Sequence, residues 1–369
     1  MNQKTTTIAD VAAFIESWAP ASLAEDYDNV GLLVGSYHQP TENILVSLDV
    51  TESVVDEAIA SNCGLIVSHH PILFKNIKRL NGQNYVARTV EKAIRNQIGL
   101  YACHTNLDNV STGVNQKIGE KIGLSDLKIL RPANSKLLKL TFFVPPSSKE
   151  EVLASVHAAG AGNIGNYTHC SFASSGTGTF RPGLDAHPTI GTPGQAENVA
   201  EDRVEVILPR YLKSKVIQAL ETSHPYEEVA YYIHPLENNW QDTGSGMVGS
   251  FSAPIENSRF IELLKKTFNL HMVKHTRPVG ATIQKVAICG GSGHFLMADA
   301  IAAGADVFVT ADLKYHEFFD ADDRIMAVDI GHYESEQFTS ELIIEQLSKQ
   351  FPNIAVLLSK VRTNPVFYA

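Results

Sequence analysis

The sequence has few cysteines, no excess of positive charge and no long apolar run, and each absence excludes a class of protein. Its 369 residues include only 4 Cys and no CxxC spacing, which argues against thiolate zinc sites and a disulfide framework. The 30 Lys and Arg are outnumbered by 40 Asp and Glu, so a protein that wraps nucleic acid is not expected. No run approaches the roughly 20 apolar residues that span a bilayer, and no signal peptide is recognisable, so a cytoplasmic protein without a membrane partner is predicted.

The chain is long and contains many histidine and acidic residues. With thiolates scarce, any metal ion must be held by the 14 His and the 40 acidic side chains. A chain of 369 residues also exceeds the size at which a single core usually splits, so more than one domain is expected.

The first third of the chain alternates helical and strand-like segments. Residues 8–19 carry an apolar stripe at helical spacing, with Thr7 available as a cap. Residues 43–50 and 64–70 are short apolar runs typical of buried parallel strands, and residues 98–108 are predicted as a further strand. This βαβαβ pattern resumes in the last third and indicates a layered α/β domain.

A segment of about 100 residues, a normal domain size, interrupts that pattern. Its strands and helices follow the order β-α-β-β-α-β, which is ferredoxin-like. Ser148, with Glu151 three residues later, predicts a capping box at its first helix. We therefore predict an α/β domain made of residues 1–131 and 243–369, with an inserted ferredoxin-like domain over residues 132–242.

Three strands of the α/β domain end on candidate metal ligands. In open α/β sheets, ligands bind outside the carboxyl ends of the strands. The candidates are His69 and His70 after one strand, His104 and Asp108 after the next, and His332 and Glu336, four residues apart on a helix face, after a later one. One such residue alone is more often a hydrogen-bonded core residue or a solvated helix face. Their coincidence favours a non-thiolate site for Zn, Fe, Mn or Ni.

Three other features allow two interpretations each. The glycine-rich residues 290–293 could cradle phosphate on backbone N–H groups or form a tight turn. Asp49 could orient a ligand imidazole or cap the following helix. Lys314 and His316 follow a strand and could reach the site or stay in solvent.

Six motifs together resemble one family. SHHP, HTNLD and GHYESE, with DNVGLLVG, ICGGSG and TADLKYHE, closely resemble the NIF-three-like family of dinuclear metal-centre proteins, also labelled GTP cyclohydrolase I type 2 homologues. The resemblance runs from about residue 8 to the end of the sequence and includes the insert, which is similar to PII/CutA-like domains and carries their HPYE signature.

The resemblance implies a site with two divalent metal ions, of which Zn is the first guess. The implied ligands are His69, His70, Asp108, His332 and Glu336. Glu336 would bridge the ions, Asp108 and one of the paired histidines would serve one ion, and His332 with the other would serve the second. His104 and His316 are the candidates for catalytic proton transfer.

The resemblance also implies an activity and an assembly. The family label indicates a metal-dependent hydrolase that opens the purine ring of GTP, in which hydroxide attacks C8 and formate leaves. Phosphoester or amide hydrolysis of another small molecule would suit the same site. A toroidal homohexamer is implied. The alternative is a non-catalytic metal-binding regulatory or interaction protein assembled as a ring.

Overall fold

The structure is a computed structural model that describes residues 5–75, 77–134 and 136–368, with the backbone alone at residue 241. The chain separates into two compact units. One consists of residues 132–241, and the other of the segments before and after them. Residues 1–4 and 369, at the outer ends of the predicted α/β domain, lie outside the described residues. No helix in the described ranges is long and apolar enough to cross a membrane.

The larger unit alternates strands and helices in both of its segments. Up to residue 133 the elements are α1 (Ile8–Trp18), β1 (Gly31–Val34), β2 (Asn43–Ser47), α2 (Glu52–Ala60), β3 (Leu65–Ser68), α3 (Tyr85–Arg95), β4 (Gly99–Ala102), α4 (Thr105–Asp108), α5 (Val114–Ile122) and β5 (Ser125–Ala133). A 3-10 helix covers Ala21–Leu23.

The smaller unit follows. Its elements are β6 (Leu137–Val144), α6 (Lys149–Ala158), β7 (Phe172–Phe180), β8 (Glu197–Pro209), a 3-10 helix (Arg210–Leu212), α7 (Lys213–Ser223) and β9 (Tyr231–Leu236).

The chain then re-enters the larger unit. The elements are β10 (Trp240–Glu256), α8 (Asn257–Phe268), β11 (Lys274–His275), β12 (Thr282–Ser292), α9 (Met297–Ala302), β13 (Val307–Ala311), β14 (Met326–Asp329), α10 (His332–Glu336), α11 (Thr339–Gln350) and β15 (Ala355–Leu358). Two 3-10 helices cover His294–Leu296 and Tyr315–Ala321.

Two sheets form the larger unit. One has the strand order β1-β4-β3-β2-β15, in which β15, β2, β3 and β4 are parallel. The other has the order β11-β14-β13-β12-β10-β5, with β12, β13 and β14 parallel. Every residue of β3, β4, β13 and β14 is buried because both faces of these strands are covered. Strand β12 begins with exposed residues, and the edge strand β15 is partly exposed. This mixed α/β architecture confirms the predicted class.

Helix α1 shows how closely the sequence pattern specifies local structure. It begins at Ile8, as the apolar stripe predicts, and buries the Ile8, Val11 and Ile15 side chains. Thr7 accepts a hydrogen bond from the Asp10 N–H, and the Asp10 carboxylate accepts from the Thr7 N–H. This reciprocal capping box satisfies two backbone donors that the helix leaves free.

The predicted strand over residues 98–108 is wrong in its second half. Strand β4 ends at Ala102, and Thr105–Asp108 form the short helix α4. A residue far away in the sequence stabilises this turn. The Asp28 carboxylate accepts a hydrogen bond from the backbone N–H of Thr105, at 3.0 Å, and another from its hydroxyl. Local pattern cannot reveal a partner that lies 77 residues away.

The smaller unit is an antiparallel sheet with two helices. Its strand order is β7-β8-β6-β9, and its elements follow the sequence β-α-β-β-α-β. Its core is formed by residues such as Leu140, Phe142 and Val206. The capping box predicted at Ser148 is wrong, because that residue has ψ of −4°, close to helical, and its side chain makes no cap hydrogen bond.

Candidate metal centre

The structure brings the five predicted ligands together in the larger unit. His69 and His70 directly follow β3, and Asp108 ends α4. His332 begins α10 and Glu336 ends it. The first three come from the sheet containing β3 and the last two from the chain that leaves the sheet containing β14, so the cluster joins both sheets.

Glu336 is the centre of the cluster. Its side chain is 3% exposed, and its Oε2 lies 3.0 Å from His70 Nε2 and 3.1 Å from His332 Nε2. Its Oε1 lies 3.8 Å from His69 Nε2. The two carboxylate oxygens therefore face different imidazoles, an arrangement that suits a carboxylate shared between two cations.

Asp108 approaches the same nitrogen of His69 as Glu336 does. Its Oδ1 lies 3.8 Å from His69 Nε2. Burial and then the negative charge of Glu336 raise the pKa of Asp108 well above its ordinary value. Two carboxylates this close resist ionising together unless positive charge lies between them.

Four imidazoles hold an oxygen at Nδ1, and three of them, His69, His70 and His332, turn Nε2 towards Glu336. The Nδ1 partners are Asp49 for His70 at 2.7 Å, Asp312 for His332 at 2.7 Å, the Cys103 carbonyl for His69 at 2.9 Å and Asp28 for His104 at 2.8 Å. A carbonyl oxygen can only accept, so Nδ1 of His69 carries a proton, and in the neutral form of that ring the lone pair is on Nε2. Imidazoles that bind metals are usually held in this way by an oxygen at the other nitrogen.

Three buried polar atoms in the cluster make no aligned hydrogen bond among the described residues: His69 Nε2, Asp108 Oδ1 and Glu336 Oε2, the last of which has only its ion-pair contacts with His70 and His332. Buried polar atoms are nearly always paired, and each unpaired one costs about 1–3 kcal/mol. All three are typical ligands of divalent transition metals and belong to one cluster. The residues present therefore fit a metal centre.

Two imidazoles of the cluster have a pKa above that of a free histidine. Burial disfavours the charged imidazole, but contacts with Asp49 and Glu336 raise the pKa of His70 to about 10. Burial likewise opposes protonation of His332, and Glu336 and Asp312 raise its pKa to about 9. Ion binding at neutral pH must therefore displace protons from these two ligands.

The glycine-rich residues 290–293, at the end of β12, make room for the cluster. Three of their backbone N–H groups are engaged within the protein: that of Gly290 donates to Asn115, that of Gly291 to Ser335 and that of Gly293 to Thr310, each at 2.9 Å. Gly291 has φ of +62°, and a Cβ there would overlap Glu336 Oε1. In place of a tight turn, the structure shows an irregular strand end, because the register of β12 with β13 shifts between Ile288 and Ser292.

His104 adds a further imidazole on the first-sheet side. Its ring centroid lies 5.2 Å from that of His69 and 5.4 Å from that of His70, and these three histidines form a group that could hold a metal. His70, His332 and Glu336 form another. Asp28, from the motif DNVGLLVG, orients His104, a role that the sequence left undefined.

The motif TADLKYHE contributes a residue that sequence reasoning missed. Asp312 orients His332, whereas the same motif had suggested Lys314 and His316. Both of these residues are exposed, and the His316 ring lies 6.2 Å from that of Phe319. The structure does not bring His316 into the cluster. Asp312 could have been found by the signal already used elsewhere, a carboxylate directly after a buried strand.

A cavity of about 730 Å³ adjoins the cluster. His70, His104 and His332 line it, together with the cationic side chains of Lys274 and Arg362 and the ring of Tyr333. This volume lies in the range of small-molecule sites. A ligand in the cavity would therefore touch the imidazoles directly.

Comparisons with known proteins place the chain among relatives. The sequence model of Duf34/NIF3 (NGG1p interacting factor 3) matches residues 6–365. A Halalkalibacterium halodurans protein named "GTP cyclohydrolase 1 type 2 homolog" is 39% identical over 361 residues, which cover 96% of this chain and 97% of that protein. A Bacillus subtilis protein of the same name is 37% identical, and the match covers 98% of each chain.

A solved structure extends the similarity to three dimensions. The crystal structure of a Bacillus cereus protein related to NIF3 superposes with a TM-score of 0.88 at 36% identity, covering 100% of both chains. The resemblance inferred from the six motifs is confirmed. Since the family match spans nearly the whole sequence, the chain belongs to the Duf34/NIF3 family.

Proposed function

We propose that the chain binds two divalent metal ions through His69, His70, Asp108, His332 and Glu336, with Zn²⁺ as the first candidate. The observation that carries the proposal is the set of buried ligand atoms without an aligned hydrogen bond in one cluster, one each from His69, Asp108 and Glu336. The two Glu336 oxygens face different imidazoles, which supports a pair of ions rather than one.

We further propose that the protein is a metal-dependent hydrolase acting on a small molecule. When bound, divalent ions polarise substrate oxygens and lower the pKa of water. The chain supplies the cavity of about 730 Å³, whose wall combines the cations Lys274 and Arg362 with the carboxylates Asp49, Asp312, Asp329 and Glu334. Positive charge for an anionic substrate would therefore come mainly from the bound ions. The name of the relatives supports a nucleotide such as GTP. His104, which lines the cavity and is oriented by Asp28, is the proposed proton-transfer group in preference to the exposed His316.

For the smaller unit, we propose an inserted ferredoxin-like domain of the PII/CutA type. Its β-α-β-β-α-β order and its compactness as residues 132–241 support this assignment. The larger unit would then be one discontinuous metal-binding domain. We also propose that the protein assembles as a homohexameric ring. Light scattering of the purified protein tests this by measuring the mass of the assembly.

Removal of single ligands tests the metal site. His70→Ala and Glu336→Ala are each expected to lose most of the bound metal, because they delete an atom at the centre of the cluster. Elemental analysis of the purified, dialysed protein measures this. His38→Ala, at an exposed position of the same unit, is the matched control and should keep its metal. Wild-type metal content in both ligand variants would contradict the assignment.

A substrate panel tests the activity. Zn²⁺- or Mn²⁺-loaded protein is incubated with GTP and other nucleotides, and formate and phosphate are assayed. Formate from GTP that disappears in Glu336→Ala supports the cyclohydrolase reading. Absence of any metal-dependent product would favour the alternative, a metal-binding regulatory or interaction protein.

A further inference from the structure

The segment after β15 borders the cavity without forming a helix or strand. Residues 359–368, named here the clasp segment, contribute several side chains to the cavity wall, including those of Asn364 and Tyr368. Most of the segment is exposed, but Asn364 is only 5% exposed. A buried polar side chain in an otherwise exposed segment indicates a specific partner.

The clasp segment begins at a firm anchor. The Ser359 hydroxyl donates to Glu57 Oε2 at 2.5 Å, and the Lys360 N–H donates to Glu57 Oε1 at 2.9 Å. The Ser359 N–H donates to the Val46 carbonyl at 2.9 Å, which extends the pairing of β15 with β2. The segment therefore leaves the first sheet in a defined direction.

Thr363 connects the clasp segment to the part of the metal centre that contains His70. Its hydroxyl donates to Asp49 Oδ2 at 2.6 Å, and the other oxygen of the same carboxylate holds His70 Nδ1 at 2.7 Å. The two bonds use different oxygens, so the Asp49 carboxylate is fixed at both ends. Without the Thr363 hydroxyl the carboxylate could rotate, and the His70 ring would lose its fixed orientation.

Asn364, the next residue of the clasp segment, connects it to α10, the helix that carries His332 and Glu336. Its Nδ2 donates to Glu334 Oε1 at 3.0 Å, and its Oδ1 accepts the Val366 N–H at 3.0 Å, so the amide has one orientation. Glu334 is 8% exposed and lies in α10 between His332 and Glu336. A neutral amide donor satisfies this buried carboxylate without adding charge beside the ligands.

We infer that Thr363 and Asn364 are positioning residues that set the separation between His70, from the first sheet, and the α10 ligands, from the second. Because Thr363 and Asn364 are adjacent and bond to Asp49 and Glu334 respectively, they link the two sides of the metal centre. The inference rests on the proposed metal function, since it concerns how well the ligands are preorganised for ions. Outer partners of metal ligands commonly change affinity about 10- to 100-fold.

The full-length protein tests the inference through metal affinity, measured by Zn²⁺ titration against a competing chelator. Thr363→Val keeps the shape of the side chain but removes the hydroxyl, and should weaken Zn²⁺ binding about tenfold. Thr363→Ser should restore it. Asn364→Ala is expected to weaken it similarly, and the visible spectrum of the Co²⁺-substituted protein should change in Thr363→Val and Asn364→Ala.

A double-mutant cycle separates positioning from general stability. If Thr363 acts through Asp49, then Thr363→Val should add little to the loss already caused by Asp49→Asn. Thr222→Ala, which removes a hydroxyl bonded within α7 of the smaller unit, is the matched control and should leave Zn²⁺ affinity unchanged.

Two outcomes would overturn the inference: wild-type Zn²⁺ affinity in both Thr363→Val and Asn364→Ala, or additive losses in the cycle. Wild-type protein that binds no Zn²⁺ or Co²⁺ would instead refute the proposed metal function itself. The two failures are therefore distinguishable by the wild-type titration alone.

Discussion

At the residue scale, the metal centre depends on side chains that hold the ligands as much as on the ligands. Asp49, Asp312 and Asp28 orient His70, His332 and His104 from positions 21, 20 and 76 residues away in the sequence. Each follows or precedes a strand, and each could equally have capped a helix or a turn. Helix α2 is in fact capped by Thr51, which leaves Asp49 free to hold its imidazole.

Gly291 offers a sharp test at this scale. Gly291→Ala is expected to displace Glu336, because the new Cβ would overlap Glu336 Oε1, and the left-handed backbone adds about 1–2 kcal/mol of strain. The purified variant should be less stable to urea and should lose most of its bound metal by elemental analysis.

Gly304→Ala is the matched control, since Gly304 has φ of +68° but open space around it. It should show the backbone strain alone and keep its metal. Equal metal content in the two variants would contradict the role assigned to Gly291.

At the element scale, most of the proposed ligands lie in the segments that directly follow a strand, and the strands position those segments. The ligands lie beyond β3 and β4 of one sheet and β14 of the other, where polar residues follow buried strands and meet in one cluster. The HPYE signature of the smaller unit also follows an element: His224 comes directly after α7. Its Nε2 donates to the Phe143 carbonyl at 2.9 Å and its Nδ1 accepts the Tyr226 N–H at 3.1 Å, so the side chain serves packing in this unit.

His224 predicts a pH dependence for the stability of the smaller unit. Burial lowers the pKa of His224, so below about pH 6.5 the unfolded chain binds a proton that the folded unit resists. Stability should therefore fall as the pH drops below that value and level off above it. The measurement is the urea midpoint at which peptides from β6 and β8 lose protection from hydrogen exchange.

His224→Gln should reduce this pH dependence, whereas His187→Gln, at an exposed position of the same unit, should keep it. A wild-type pH slope in His224→Gln would show that another group causes the effect.

At the scale of the whole molecule, the metal ligands come from two sheets, so bound ions would stabilise the larger unit as a whole. Ligand binding at a hundredfold excess over Kd adds about 2.7 kcal/mol to folding. For a unit of this size, we expect chelation to lower the melting temperature by about 5–10 °C. Calorimetry with and without chelator measures the shift, and Glu336→Ala should show none. An equal shift in that variant would indicate that the stabilising ions bind elsewhere.

The sequence by itself determined the fold class, the family and the set of candidate ligands. Apolar runs and helical stripes reflect burial within each element, and residues such as His332 and Glu336 share a helix face by spacing alone. The family motifs selected Asp108 as a ligand, because no local pattern distinguishes this residue from a helix cap.

Only the tertiary structure decided which atoms meet. The bonds of Asp312 to His332, Asp28 to Thr105 and Thr363 to Asp49 join residues 20, 77 and 314 positions apart. The exposed position of His316 and the helical turn after β4 follow from the same long-range packing. A hydrogen bond depends on distance and angle in space, and these are set by how the sheets pack rather than by the periodicity of any one segment.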